Sequence, residues 1–270
     1  MSREFTIAAA DTHLSGVDTL GHEPPLLFLN GGFSTQRCWN RVLARLGGTY
    51  RSVTFDARAH GRSGTSSDYS VRGAIDDVDR VIEATVLDRP ILVGWSHGAT
   101  VALCYATEYP DMVGGLVLVD GAYPVSVLDE AGRERVRRRC RRTGWIARPL
   151  ALFGRSARMT APERAEFVIE MDEVNGELQA DFAALRCPTV FVAGSGERSG
   201  ASRLSGARAQ DADALRAAVE AVASSDRVTV LAAPNGGHPR FPDKDPGLVV
   251  AAIEEVRRRS LPVSSVREGQ

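Results

Sequence analysis

The feature that most constrains the fold is an alternation between short apolar runs and longer segments with helical periodicity. Six such runs recur along the chain: Leu26–Leu29, Val53–Phe55, Ile91–Val93, Leu116–Val119, Val190–Val192 and Val228–Leu231. Each is too short for a helix and is apolar on both faces, which is typical of a strand covered on both sides. Between them lie segments such as 71–82, where apolar residues recur at spacings of three and four. The alternation predicts an α/β fold with a parallel, doubly wound sheet flanked by helices.

The alternation is interrupted between residues 121 and 185, where charged sequence with a helical pattern replaces the expected strand. This predicts a helical lid over residues 121–185, inserted into a core made of residues 1–120 and 186–262. The weaker strand character between Phe5 and Leu20 predicts an antiparallel edge pair. Residues 263–270 follow the last proline without a packing pattern, so we expect a flexible tail there.

The composition is that of an ordinary globular protein and indicates no particular partner. The chain is 43% hydrophobic and 25% charged and has a formal net charge of −1, which is ordinary for a globular protein and gives no reason to expect nucleic acid. No apolar run approaches the roughly 18 residues of a membrane span, and the N-terminus lacks the apolar stretch of a signal peptide. We therefore expect a cytoplasmic protein that does not bind membranes. The four cysteines show no paired spacing, so neither a disulfide framework nor a zinc site is predicted.

The chemistry is indicated by Gly94-Trp95-Ser96-His97-Gly98, which follows a predicted strand and precedes a helical segment. A G-x-S-x-G motif needs this strand–turn–helix setting, because the serine occupies a tight turn where bulky neighbours would clash. The alternative, a glycine-rich turn with an idle serine, explains the motif less well in this setting. We therefore predict that Ser96 is a nucleophile.

A serine hydroxyl needs a hydrogen-bonded base, usually a histidine held by a carboxylate. The chain has five histidines, and His238 lies in a loop just after the last predicted strand. The order of serine first and histidine last fits catalytic residues on this fold. His97 directly follows the nucleophile, so its backbone N–H rather than its ring is expected to face the site. His238 is therefore the predicted general base.

Together with two further segments, these motifs resemble those of the α/β-hydrolase superfamily, and the resemblance covers nearly the whole chain. Leu26–Phe33 is similar to the family's oxyanion strand and loop, and residues 56–63 (DARAHGRS) are similar to its D-x-R-G-H-G-x-S turn. The resemblance implies a mostly parallel eight-stranded sheet with a lid after the sixth strand. It also implies an oxyanion hole formed by the backbone N–H groups of Gly32, or alternatively Phe33, and His97. The turn at residues 56–63 is expected to brace the site.

The sequence departs from the family pattern in two respects that bear on the site. Asn30 stands where the oxyanion loop commonly has histidine, which is expected to alter the geometry of the loop. Glu197 stands where aspartate is usual after the strand Val190–Val192, and glutamate can orient a histidine equally well in this fold. Asp120, at the end of Leu116–Val119, is the alternative acid, since some members of the family place the acid there. Glu197 is favoured by its position in the motif.

The predicted lid separates charge along the chain. Residues 133–158 contain ten arginines and one acid, whereas residues 163–181 contain seven acids and one arginine. One interpretation is a pair of helices that neutralise each other. The other is an anion platform, because arginine suits carboxylate and phosphate recognition. An arginine-bearing lid with Gly-Trp-Ser also resembles the methyl-ester esterase of biotin synthesis, which implies an acidic carrier protein as a partner.

Taken together, these observations predict a serine hydrolase that cleaves an ester, thioester or lactone of a small-molecule acyl substrate, with no metal or cofactor. The alternative is a cofactor-free lyase, cyclase, epimerase or perhydrolase on the same fold, acting on a carrier-bound or natural-product intermediate. A receptor that keeps the fold without catalysis is disfavoured, because both Ser96 and His238 are present. Aromatic side chains are expected to line the substrate pocket: Phe33, Trp95, Trp145 and Phe153. The sequence gives neither the acyl length nor the oligomeric state.

Overall fold

A computed structural model describes residues 2–152, 157–194, 209–232 and 241–260. These residues form a sheet of eight strands in the order β1-β2-β4-β3-β5-β6-β7-β8. The strands are β1 (Arg3–Ala9), β2 (Thr12–Asp18), β3 (His22–Leu29), β4 (Tyr50–Phe55), β5 (Ile91–Trp95), β6 (Gly115–Val119), β7 (Thr189–Ala193) and β8 (Val228–Ala232). Strands β1, β2 and β4 pair antiparallel in that order, whereas β3 to β8 pair in parallel. The predicted parallel sheet and its antiparallel edge pair are confirmed.

Nine α-helices lie within the described ranges. They are α1 (Asn40–Leu46), α2 (Val71–Thr85), α3 (His97–Glu108), α4 (Glu130–Leu152), α5 (Ala161–Glu177), α6 (Gln179–Ala184), α7 (Ala209–Ala223), α8 (Phe241–Lys244) and α9 (Pro246–Ser260). Helices α4 to α6 follow β6 and precede β7, in the segment predicted to be a lid. In the part of the chain described here, no helix is both long enough and apolar enough to cross a bilayer. The predicted tail at 263–270 lies outside the described residues.

The sheet is buried on both faces, as its sequence predicts. Successive side chains of a strand point to opposite faces, and in β3 Leu27 and Leu29 join a cluster with α2 and α3. Leu26 and Phe28 join the opposite cluster, with α1 and α9. Each of these four side chains is at most 3% exposed, and burial of a side chain of this size contributes about 2 kcal/mol. The central strands are therefore packed against apolar side chains on both faces of the sheet.

A third apolar cluster attaches helices α4 and α5 to the core. Val136 and Cys140 of α4 pack with Phe167 and Ile169 of α5 and with Ala59, which lies after β4. Because this contact is made beside the ends of the central strands, the inserted helices lie next to the edge of the sheet where the sequence motifs converge.

Candidate active site

The carboxyl ends of β3, β5, β6 and β7 meet at one edge of the sheet, because these strands are neighbours and parallel. The predicted oxyanion loop follows β3, Ser96 follows β5 and Asp120 follows β6. In open α/β sheets ligands bind at this edge. The topology therefore places these predicted site regions along one edge of the sheet.

Ser96 forms the turn between β5 and α3 and adopts φ 53° and ψ −119°. A positive φ on a non-glycine residue costs about 1–3 kcal/mol and persists only where the surroundings impose it. Here the motif glycines make the turn possible: a Cβ on Gly94 would lie 2.3 Å from the Gly98 carbonyl oxygen, and one on Gly98 would lie 2.3 Å from the Leu29 carbonyl oxygen. The Ser96 side chain is partly exposed between buried neighbours. This geometry is what the strand–turn–helix motif predicts for a presented hydroxyl.

The loop after β3 runs beside the start of α3. A Cβ on Gly32 would lie 3.8 Å from the His97 Cβ, so the two residues predicted to donate to an oxyanion lie next to each other. Phe33 continues the loop with φ 62°. The departure at Asn30 has a structural use: its amide donates to the Phe55 carbonyl at 2.7 Å, and its side-chain oxygen accepts from Trp39 Nε1 at 3.0 Å. Asn30 thus anchors the loop to β4 and to the residues before α1.

The turn after β4 is held by its own carboxylate and by α2. Asp56 accepts hydrogen bonds from the backbone N–H groups of Gln36 (2.9 Å) and Arg62 (3.1 Å). Arg58 forms two hydrogen bonds with Asp77 of α2, at 2.8 and 2.9 Å, and both side chains are buried. Two parallel charge-assisted bonds fix position as well as contribute energy. These contacts agree with the expected bracing role of this turn.

Helix α5 supplies a residue whose position the sequence did not predict. The Phe167 ring lies 4.5 Å from the His97 ring and 5.3 Å from the Phe33 ring. A Cβ on Gly32 would come within 2.9 Å of the Phe167 ring. The sequence signal that could have located Phe167 is Thr160-Ala-Pro-Glu163, a capping box that sets where α5 begins. Phe167 therefore covers the predicted oxyanion loop.

Trp95 and the remaining aromatic residues predicted for the substrate pocket are placed differently. Trp95 is 6% exposed and packs under the oxyanion loop, where a Cβ on Gly31 would lie 2.8 Å from its ring. Phe33 is partly exposed and receives the Arg164 guanidinium 5.1 Å above its ring. The Trp145 side chain and Phe153 lie outside the described residues.

Asp120 is the candidate acid that the structure describes. It follows β6, is 1% exposed, has φ 42° and accepts a hydrogen bond from the Tyr123 hydroxyl at 2.8 Å. Glu197 and His238 lie outside the described residues, so the predicted triad is described only at Ser96 and at the alternative acid.

Two buried histidines behind the loop are electrically neutral near pH 7. Burial lowers the pKa of His97 to about 3, and the neighbouring His60 imidazole contributes to that lowering. Burial likewise lowers the pKa of His60, whose Nδ1 donates to the Arg58 carbonyl at 2.7 Å. Both rings line a cavity of about 30 Å³ behind Gly31 and Gly32. Neither histidine adds positive charge to the oxyanion loop, and no cluster suited to a metal ion occurs among the residues described.

Comparison with known proteins places this architecture in a family. A profile described as the alpha/beta hydrolase family matches residues 26–253, so the chain belongs to that family, as the motifs predicted. A putative non-heme haloperoxidase of Mycobacterium phage D29 is 33% identical over 122 residues, 43% of each chain. The match thus spans less than half of that curated relative.

Solved structures share the fold at low sequence identity. An esterase from Exiguobacterium antarcticum has a TM-score of 0.71 at 18% identity, covering 94% of this chain and all of the other. A thermophilic esterase from Thermogutta terrifontis, in a malate-bound structure, has a TM-score of 0.69 at 20% identity, covering 96% and 99% of the two chains. At these identities the likeness supports the fold and leaves the substrate open.

Proposed function

We propose that the chain is a serine hydrolase that transfers an acyl group from an ester, thioester or lactone to water. Ser96 is the nucleophile, His238 the general base, and Glu197 or alternatively Asp120 the acid that orients the histidine. The observation that carries the proposal is the strained Ser96 turn, whose next residue, His97, lies beside Gly32 of the loop after β3. A nucleophile next to two backbone N–H groups is the arrangement that acyl transfer requires.

In this mechanism Ser96 Oγ attacks the substrate carbonyl carbon while His238 accepts the hydroxyl proton. The N–H groups of His97 and Gly32, or alternatively Phe33, donate to the oxygen that becomes negative. Collapse of the tetrahedral intermediate breaks the bond to the alcohol or thiol, which leaves with the proton from His238. Water then attacks the acyl-enzyme carbonyl while His238 accepts its proton. Collapse of the second tetrahedral intermediate breaks the bond to Ser96 Oγ, returns the proton to that oxygen and releases the acid.

Active-site labelling and two substitutions test this proposal. A fluorophosphonate should label Ser96, and p-nitrophenyl butyrate should give a burst of one nitrophenol per enzyme. Ser96→Ala and His238→Ala should each lower kcat by a factor on the order of 10³ or more, because the members of a triad act as a unit. The control Ser224→Ala alters an exposed serine at the end of α7 and should leave turnover unchanged. Retention of a tenth of the wild-type activity by Ser96→Ala would contradict the mechanism.

A second candidate function is a perhydrolase, or another non-hydrolytic reaction such as that of a lyase, cyclase or epimerase on the same fold. The observation that favours it is the similarity to a protein named a putative haloperoxidase. The product formed from the acyl-enzyme distinguishes a hydrolase from a perhydrolase. In ¹⁸O-labelled water a hydrolase incorporates the label into the released acid. A perhydrolase given hydrogen peroxide instead forms a peracid.

The substrate is proposed to be a small acyl compound, with Phe33, Trp95, Trp145 and Phe153 as candidate binding residues. Phe167 is added to this set because it covers Gly32 and contacts Phe33. An acidic carrier protein that presents the acyl group is a further proposal, supported by the arginines of α4.

A further inference from the structure

Asp120 leaves the sheet directly beside the nucleophile. β5 and β6 pair in parallel with Trp95 opposite Val119, so the next residues, Ser96 and Asp120, leave adjacent strands at the same level. The Ser96 N–H donates to the Val119 carbonyl at 3.0 Å, and a Cβ on Gly121 would lie 2.5 Å from the Ser96 Cα. The backbone on both sides of Asp120 is therefore packed against the nucleophile turn.

The conformation of Asp120 is one that glycine would adopt more easily. Its φ is 42°, and Ala122, two residues later, has φ 57°. Glycine is the usual residue where a turn needs a positive φ, because it has no Cβ to clash. Asp120 also buries its side chain almost completely, and a buried carboxylate is costly unless it is hydrogen-bonded. An aspartate in this position is therefore best explained by a need for its carboxylate.

Tyr123 clamps that carboxylate between two strand ends. Its hydroxyl donates to Asp120 Oδ1 at 2.8 Å and accepts from the Gly194 N–H at 3.1 Å. Burial and the neighbouring Asp120 charge raise the pKa of Tyr123 well above its ordinary range, so the hydroxyl keeps its proton and remains a donor. The Tyr123 ring packs edge-on against Phe191 of β7 at 5.3 Å.

The contact between Asp120 and Gly194 also accounts for a glycine in the motif that favoured Glu197. A Cβ on Gly194 would lie 2.5 Å from Asp120 Oδ1, so only glycine fits at this position. The first residue of Gly194-Ser195-Gly196-Glu197 is thus required by Asp120 and Tyr123, whether or not Glu197 has a catalytic role.

We propose that Asp120, rather than Glu197, is the acid that orients His238, and that Tyr123 is a second positioning residue that fixes the Asp120 carboxylate. The proposal rests on the proposed function, in which Ser96 and His238 form the reacting pair. A carboxylate has several lone pairs, so a bond from Tyr123 leaves capacity to accept an imidazole N–H. The proton that His238 takes from Ser96 stays on the imidazole, and Asp120 stabilises the resulting positive charge.

Isosteric substitutions test the proposal with p-nitrophenyl butyrate as the probe. Asp120→Asn should lower kcat by about 10³- to 10⁴-fold, the order seen when a triad acid is made neutral, whereas Glu197→Gln should change it little. Asparagine tolerates a positive φ, so the backbone turn should survive. In Asp120→Asn the acidic limb of the kcat/KM profile should move to lower pH, because an imidazolium without a neighbouring carboxylate loses its proton more readily.

Tyr123→Phe provides a second test, which does not depend on changing the acid. It should lower kcat about tenfold, the order expected for one lost hydrogen bond to a charged group. It should cause no further loss in the Asp120→Asn background, because it acts through that carboxylate. The matched control is Tyr105→Phe, which removes a buried tyrosine's hydrogen bond to Asp79 away from this edge, and should leave kcat unchanged.

The outcomes separate this proposal from the proposed function. A large loss in Glu197→Gln with near-normal activity in Asp120→Asn would overturn the assignment of Asp120, while fluorophosphonate labelling of Ser96 would still stand. Equal, additive losses in Tyr123→Phe with and without Asp120→Asn would overturn the role of Tyr123. Failure of the wild-type protein to be labelled at Ser96 would instead overturn the proposed function itself.

Discussion

Positive φ angles at Phe33, Ser96 and Asp120 place three non-glycine residues in left-handed conformations at the carboxyl ends of β3, β5 and β6. Each conformation costs about 1–3 kcal/mol, and such strain concentrates at functional sites. The buried two-faced sheet is what makes this cost tolerable, because it fixes the strand ends from which these residues emerge. The burial of the rest of the core offsets the strain at this edge.

At the same scale, the buried ring of His97 should make the stability of the protein depend on pH. The folded-state pKa is about 3 against an ordinary value of 6.5, so between those values the unfolded state binds more protons. The contribution of His97 to the free energy of unfolding is therefore complete above pH 6.5. It is lost as the pH falls toward 3, the pKa of the folded state. By pH 5 the loss from this group should be roughly 2 kcal/mol. Urea unfolding of wild type and His97→Gln at pH 7 and pH 5 measures it.

His97→Gln should lose less stability than the wild type between these two pH values, because glutamine does not titrate. The control His22→Gln changes an exposed histidine on β3 and should keep the wild-type dependence. An unchanged dependence in His97→Gln would show that the buried ring is not the group responsible.

At the scale of elements, α5 is fixed at its start and reaches the oxyanion loop through one ring. Thr160 Oγ accepts from the Glu163 N–H, and Glu163 accepts from the Thr160 N–H, so the helix begins at a defined residue. Phe167 then lies against the Gly32 position and the His97 ring. We therefore expect the position of the loop to depend on α5.

Gly32→Ala should lower kcat by about 10- to 100-fold, because the new methyl group meets the Phe167 ring and displaces an oxyanion donor. Combining it with Phe167→Leu should restore part of the loss by making room for the methyl group. Steady-state kinetics on p-nitrophenyl butyrate measure both effects. The control Gly247→Ala adds a methyl group whose nearest neighbour is 3.5 Å away, and it should leave kcat unchanged. Failure of Phe167→Leu to improve Gly32→Ala would show that the helix does not set the loop position.

At this scale the sequence predicted those features that a short local pattern encodes. The strands were predictable because their apolar runs are local, and the turn at Ser96 because Gly94 and Gly98 lie two residues to either side of it. The place of Phe167 over Gly32 depends on how α5 crosses the sheet edge, which no short pattern encodes. The sequence favoured Glu197 over Asp120 from motif position alone, because the hydrogen bonds that join Tyr123 to Asp120 and Gly194 form only in the folded chain.

At the scale of the whole molecule, a net charge of −1 conceals a separation of charge across α4. One side of the helix is neutralised by α5, where Arg133 pairs with Glu173 at 3.1 Å and Arg137 pairs with Glu166 at 3.2 Å. Among the described residues no ion pair involves Arg138 or Arg142, which line a surface groove on α4. The ion pairs of Arg133 and Arg137 agree with the self-neutralising interpretation, and the platform interpretation stays a prediction for Arg138 and Arg142.

This division makes the proposed carrier-protein partner testable with two matched pairs of substitutions. Arg138→Glu with Arg142→Glu should raise KM for an acyl group on an acidic carrier protein and spare p-nitrophenyl butyrate, because only the carrier contacts the groove. Added salt should imitate that loss, since exposed charges are screened over about 8 Å at physiological ionic strength.

Arg133→Glu with Arg137→Glu should instead loosen the α4–α5 contact and affect both substrates alike. The effect should be small, because exposed pairs contribute about 0–1 kcal/mol each. Equal kinetics on both substrates in the Arg138/Arg142 variant, without salt dependence, would exclude docking of the carrier on this groove.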